Sequence, residues 1–214
     1  MAQDSPRSAR NAGLIGAWVG SFLVVVLVVV AMKFQGRVWA CDCDSPWVVW
    51  KGDVWSSHCS QHVFDPYSFT HFSHGLIFAV ALGWGATKVD RWRARRGLGS
   101  GVMCFPVHWQ FFGAVFMASA WEVAENSAWV INRYRTVTMS LDYLGDSVVN
   151  AVADVVCCAV GFWASRGMGA RASMLLLVAI EVGLLLTTRD NLTLNVLMLL
   201  SPIESVKQWQ ASGR

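Results

Sequence analysis

Long uncharged runs alternate with short charged ones along this chain, and the pattern predicts helices that cross a bilayer. Residues 11–32 carry no charged side chain and Leu14–Met32 is almost wholly apolar, enough for a helix across a hydrocarbon core of ~30 Å. A secretory signal peptide is the competing reading. The run exceeds the usual ~7–15 apolar residues, and no small-x-small cleavage site follows it directly. Further uncharged runs cover Pro66–Thr87, Gly97–Trp121, Ser147–Ser165 around a single Asp154, and Ala172–Thr188 around a single Glu181. A last run, Leu192–Ile203, has 12 residues and meets Pro202, which predicts a re-entrant or interfacial helix. The expected fold is therefore all-α: a polytopic membrane helix bundle of about five transmembrane helices plus a short C-terminal half-helix. One bundle domain, 14–203, is expected between an N-terminal tail, 1–13, and a C-terminal tail, 204–214, with a long loop over 35–67.

Lys and Arg in the short loops set the expected orientation. Lys88, Arg91, Arg93, Arg95 and Arg96 crowd one connection, whereas the next carries only Arg133 and Arg135. The crowded loop and the N-terminus are expected on the cytoplasmic side of an inner membrane, and the 35–67 loop on the outer side. Composition agrees with this reading. Hydrophobic residues make up 55% and charged residues 14%, against roughly 45–50% and ~25% in soluble domains, which excludes a disordered chain and an ordinary soluble enzyme. A net charge of +3 with one short basic run excludes nucleic acid as a partner and leaves the lipid bilayer.

Ionisable residues inside such spans are costly, ~2.5–3.5 kcal/mol each near the centre, and mark protein-lined sites. The second span opens with His71 and His74, three residues apart and on one helix face, a pair that suits a metal or a proton relay. The third ends with Glu122 and Glu125 at the same spacing, followed by Asn126. Two neighbouring carboxylates require a metal, a shared proton or a nearby cation, for which Arg133 and Arg135 are the candidates. Asp142 precedes the fourth span, along which Asp146, Asn150 and Asp154 follow at steps of four and form one stripe. Such an oxygen-rich stripe suits a hard divalent cation, a cation pathway or an interhelical polar seam. Asp190 and Asn191 close the fifth span. Although successive spans alternate in direction, all these clusters fall at the same, outer, end. Glu181 is either a deeper member of the site or a polar partner to another helix.

Six cysteines divide into two groups. Cys104, Cys157 and Cys158 lie in expected spans and are read as packing. Cys41, Cys43 and Cys59 lie in the 35–67 loop, where one disulfide from Cys59 to either partner is the simplest expectation; with His58 and His62 they form an alternative soft-metal set.

The runs Cys41-x-Cys43, Ser60-Gln61-His62, His71-x-x-His74-Gly75, Trp121-Glu122, Glu125-Asn126-Ser127, Arg133-Tyr134-Arg135, Leu141-Asp142-Tyr143-x-Gly145-Asp146-Ser147 and Arg189–Asn195 resemble the bacterial proteins grouped as uncharacterised protein family 0314. The resemblance spans roughly residues 41–210. It implies a multi-pass inner-membrane protein of alphaproteobacterial type and no established activity. The chain departs from the family pattern at Asp44, where glycine is expected, and at His58-Cys59, where Glu-Asn is expected. A weaker similarity of architecture links the Gly145-Asp146-Ser147-x-x-Asn150 stripe to VanZ-like proteins.

Three functional readings stay open. The first is a metal-assisted hydrolase or transferase on a lipid-linked substrate, in which His71 and His74 hold one divalent metal ion and Glu122, Glu125 and Asp146 do the catalysis. In it Asn126, Arg133, Arg135, Asp142, Asn150, Asp154, Asp190 and Asn191 are candidates for binding. The second is a small-cation or proton carrier, and the third a non-catalytic envelope assembly protein.

Overall fold

The computed structural model describes residues 6–98, 105–138 and 142–213; Cys104 and Leu141 lie outside them. The described residues form eight helices, and one isolated parallel bridge, Trp50 to Phe64, is their sole extended pairing.

Three helices are long and apolar enough to cross a membrane: α1 (Pro6–Phe34) over its Asn11–Phe34 part, α5 (Val148–Met168) and α6 (Ala170–Thr188). They mark the chain as a membrane protein. Five such helices are expected from the sequence, but α2 (Ser68–Arg95) and α3 (Val107–Glu125) are interrupted by polar side chains and offer no equally apolar stretch of that length. The reason is local. Thr70, His71 and Ser73 in α2, and Gln110, Ser119 and Glu122 in α3, are all buried in the bundle, so these helices hold their polar side chains inward.

The centre of the bundle is α5, whose most extensive partner is α2. Their backbones touch: a Cβ on Gly75 would collide with the Cys158 carbonyl, and one on Gly161 with the Phe72 carbonyl. Small residues at a helix crossing permit this approach. Beside the crossing, Ala79, Phe111, Ala114, Val115, Ala118, Val155, Cys158 and Phe162 form the main apolar cluster. Phe162 is fully buried and meets Phe111 edge-on at 5.6 Å.

A single residue, Gly169, reverses the chain between α5 and α6 at φ +81° and ψ 166°, a region open essentially to glycine alone. The turn is fastened by Ser173 Oγ, which lies 2.8 Å from both Ser165 Oγ and the Gly169 carbonyl.

Three short helices complete the chain. Ser127 caps α4 (Ala128–Val137) by accepting from the Val130 amide. The expected half-helix is present as α7 (Leu192–Leu200), nine residues long and ending before Pro202; at ~14 Å it is too short to span. Where a plain tail is expected, α8 (Glu204–Ala211) folds back, and its buried Gln210 donates to Asp190 Oδ1 at 3.0 Å.

The loop between α1 and α2 lies over the start of α5. Backbone N–H groups at a helix start have no partner within the helix. Here Ser147, Val148 and Val149 donate to the carbonyls of Ser60, Val38 and Trp39 at 2.9, 2.9 and 3.0 Å, and Asn150 N donates to Ser147 Oγ. The loop thus caps the helix that carries Asn150 and Asp154.

Candidate functional site

The helix ends opposite the Lys88–Arg96 run enclose a cavity of about 240 Å³. Its polar lining includes His71, His74, Glu125, Asp142, Asp146 and Asp154, its aromatic lining Trp55, Trp121, Tyr134 and Tyr143, and among the described lining residues there is no Lys or Arg.

At one wall, α2 and α3 bring three donors together. His71 Nδ1 lies 3.0 Å from Glu122 Oε1 as an ion-pair contact, yet neither oxygen of the fully buried Glu122 has a hydrogen-bond partner. One carboxylate oxygen of Glu125 joins them, all three donor atoms lying within 4.8 Å of one another. On the opposite side of the imidazole, Asp154 Oδ2 stands 3.9 Å from His71 Nε2. His74 meets the His71 ring edge-on at 5.4 Å and stacks on Phe78; it lines the cavity outside the three-donor group.

Asp146 is held differently. Asn126 Nδ2 and Tyr143 OH donate to its two oxygens at 2.6 and 2.9 Å, and its amide donates to Asn126 Oδ1 at 2.7 Å. Burial raises its pKa above the usual carboxylate range, with these hydrogen bonds opposing. Asn150 donates to the Val63 carbonyl and leaves Oδ1 unpartnered. The stripe expected along α5 therefore exists, with Asp146 and Asp154 on the cavity and Asn150 tied to the loop.

Other candidates sit in the supporting structure. Arg133 donates through Nε and Nη2 to the Leu199 carbonyl at 3.1 and 2.9 Å, where a cation suits the C-terminus of α7. It does not pair with Glu122 or Glu125, and Arg135 is exposed on α4. Asp190 Oδ2 accepts from Tyr67 OH at 3.1 Å and Oδ1 from the Asn191 amide at 3.0 Å, joining α2, α6, α7 and α8. Asn191 caps α7 by accepting from Leu194 N at 2.8 Å. Glu181 resolves as a partner to another helix: its oxygens accept from Leu192 N, Thr193 N and Thr193 Oγ1 at 3.0, 2.9 and 2.6 Å, satisfying the first turn of α7.

The expected disulfide is not formed. Cys41, Cys43 and Cys59 are free thiols, because the loop turns Cys59 onto the cavity and Cys41 onto a separate one behind it.

Two kinds of residue escaped the sequence reading. Tyr134 and Tyr143 line the cavity, and their only sequence signal is their place inside charged motif runs. Asp65 is 1% exposed and accepts from the amides of Ser60 and Tyr67 at 2.9 and 2.7 Å. An Asp three residues before Ser68 at a helix start is the signal that fits this role. Ser60, held at φ +62°, links it to the site, since its carbonyl accepts from Ser147.

Comparison with known proteins gives a family. Residues 32–212 match the family described as "Protein of unknown function (DUF2585)". A UPF0314 protein of Sphingopyxis alaskensis is 39% identical over 92% of this chain and 95% of its own length. That of Paracoccus denitrificans is 40% identical over 90% and 91%, and that of Brucella anthropi 35% over 99% and 97%. No solved structure matches. With matches over most of its length to proteins of this one kind, the chain belongs to the uncharacterised UPF0314 family.

Proposed function

We propose that this protein is a metal-assisted hydrolase or transferase acting on a lipid-linked substrate at the outer face of the inner membrane. In this reading α1, α2, α3, α5 and α6 all cross the bilayer, the N-terminus is cytoplasmic, and the cavity opens toward the extracytoplasmic side. One observation carries it: His71 Nδ1 and Glu122 Oε1 approach to 3.0 Å without hydrogen bonding, with Glu125 beside them. Two carboxylates crowd one imidazole here, away from any Lys or Arg in the described cavity wall, a costly arrangement that one divalent cation relieves.

The roles follow from position. His71, Glu122 and Glu125 hold the cation, and Asp154 orients the His71 ring from its far nitrogen, as carboxylates behind metal-bound histidines do. Asp146 faces the cavity with its pKa raised by burial, which makes it a stronger general base than an exposed carboxylate. It takes a proton from water, whose oxygen bonds to a phosphoryl or acyl centre of the substrate. The bond to the leaving oxygen breaks, and that oxygen receives the proton back from Asp146. The cavity wall of Val54, Trp55, Trp121 and Val196 gives the lipid portion an apolar surface.

Two features weigh against a carrier. Glu181, the deep carboxylate of the expected pathway, is consumed in capping α7. Beneath the site, the Gly75–Gly161 crossing and the cluster around Phe162 close the bundle with apolar side chains.

Elemental analysis of the detergent-purified protein tests the reading. One equivalent of divalent metal, lost in His71→Ala and in Glu122→Gln, is expected. No His71-dependent metal, even after resupply, sinks it.

A further inference from the structure

We infer that the loop between α1 and α2 carries a second, independent metal site, a thiolate–imidazole centre for Zn²⁺ built from Cys41, Cys43, His62 and His58. Four observations converge. Cys41 Sγ, Cys43 Sγ and a ring nitrogen of His62 lie within 4.8 Å of one another. His58 Nδ1 lies 3.1 Å from Cys41 Sγ, on the same sulfur. Nδ1 of His62, a residue 5% exposed, is buried with no hydrogen-bond partner. No disulfide withdraws either sulfur.

Two sulfurs and two imidazoles are the donor set that Zn²⁺ takes in closed tetrahedral sites, with Zn–S near ~2.3 Å and Zn–N near ~2.0 Å. Three of the donors already cluster, and His58, which touches Cys41 while its ring centre lies 6.5 Å from that of His62, closes the fourth position by turning inward. Softness separates this site from the cavity: thiolates favour Zn²⁺ over the harder cations that carboxylates accept.

The site's place in the fold gives it a role. Cys41 and Cys43 follow Val38 and Trp39, and His62 follows Ser60; the carbonyls of Val38, Trp39 and Ser60 receive the first amides of α5. Cys41 and His58 also border a cavity of about 300 Å³ that shares Asp146 with the main one. An ion joining residues 41–43 to 58–62 therefore clamps both strands of the loop onto the helix start that holds Asp146. Its function is structural, since all four positions are taken by protein.

Cobalt substitution tests this separately from the chemistry proposed above, because the donors proposed there, His71, Glu122 and Glu125, include no thiolate. Reduced protein titrated with Co²⁺ is expected to develop one equivalent of sulfur-to-cobalt charge-transfer absorption that Zn²⁺ bleaches. The band is expected to vanish in Cys43→Ser, a half-exposed position, and to persist in His71→Ala and Glu122→Gln. Zn²⁺ is also expected to slow alkylation of Cys43 in the unmodified protein at least tenfold. Absence of the band, its survival in Cys43→Ser, or unchanged alkylation overturns the proposal.

Discussion

The two halves of the helix bundle are built on opposite principles. Toward the Lys88–Arg96 end, α2, α3 and α5 meet through Ala79, Ala114, Phe111 and Phe162, with glycines at the closest crossing. Toward the other end the same three helices present His71, Glu122 and Asp154, about two to three turns further along, all at most 6% exposed. Packing density accounts for the first half. It cannot account for the second, where the unpartnered oxygens of Glu122 and Asp154 lower stability unless something binds them. The apolar half acts as a foundation stiff enough to hold an unfavourable arrangement in place, a common relation between scaffold and site.

The largest expected effect comes from breaking the foundation. Gly161→Val places a branched side chain where even a Cβ collides with the Phe72 carbonyl. Overpacking ordinarily costs about 1–3 kcal/mol, and a clash with backbone has no flexible neighbour to absorb it. The variant is expected to yield no monodisperse protein on size-exclusion chromatography in detergent. Gly167→Ala, at a position with nothing within 4 Å, is the control and is expected to behave as the unmodified chain. A well-folded Gly161→Val would refute the view that the α2–α5 backbone contact is required.

Removing a charge from the polar half is expected to act in the opposite direction. Glu122→Gln keeps the shape of a fully buried side chain and removes a carboxyl group whose oxygens make no hydrogen bond. Metal-free Glu122→Gln should be more stable than metal-free unmodified protein by about 1–3 kcal/mol, and less stable once saturating metal is present. Thermal unfolding in detergent with chelator and with added metal reads both signs. A variant destabilised under both conditions would mean that the His71–Glu122 contact stabilises the apo protein.

The same contrast explains which features the sequence disclosed. Periodicity exposes a residue when its neighbours lie on its own helix, so the spans α1, α5 and α6, the nine-residue α7, and the Asp146–Asp154 stripe were all legible. The shared end of His71, Glu122 and Asp146 followed from alternation of direction alone. Partners supplied by distant backbone leave no such trace. Arg133 reads as a counter-ion for Glu122 and Glu125, yet its guanidinium binds the Leu199 carbonyl, 66 residues away. Glu181 reads as a member of a pathway, yet it receives the amides that open α7. The disulfide expectation failed for a related reason: three cysteines in one loop give no indication of which face of the loop each will occupy. The soft-metal alternative grouped all three with His58 and His62, and the fold brings Cys41, Cys43 and His62 together while Cys59 faces the main cavity.

The smallest expected effect lies at the margin of the polar half, where Asp190 fastens α7 and α8 beside the cavity. Burial pushes its carboxyl up to about 6, against hydrogen bonds from Asn191, Tyr67, Asn195 and Gln210 that pull it down. A carboxyl whose folded pKa exceeds its unfolded value binds its proton more tightly when folded. Its contribution to stability is fully present below the unfolded value near ~3.9 and is lost as pH rises through about 6. Lowering pH from about 7 to 5.5 should therefore stabilise the protein by about 1 kcal/mol through this group. Other buried acids near the site, Asp65 and Asp146, are shifted the same way, so the informative quantity is a difference. Asp190→Asn cannot titrate, and its stability should rise less over that interval than that of the unmodified chain, by about the same 1 kcal/mol. Parallel pH profiles for the two proteins would show that Asp190 is already ionised throughout. The polar character of that end would then stop at the cavity and not extend to the α6–α7–α8 junction.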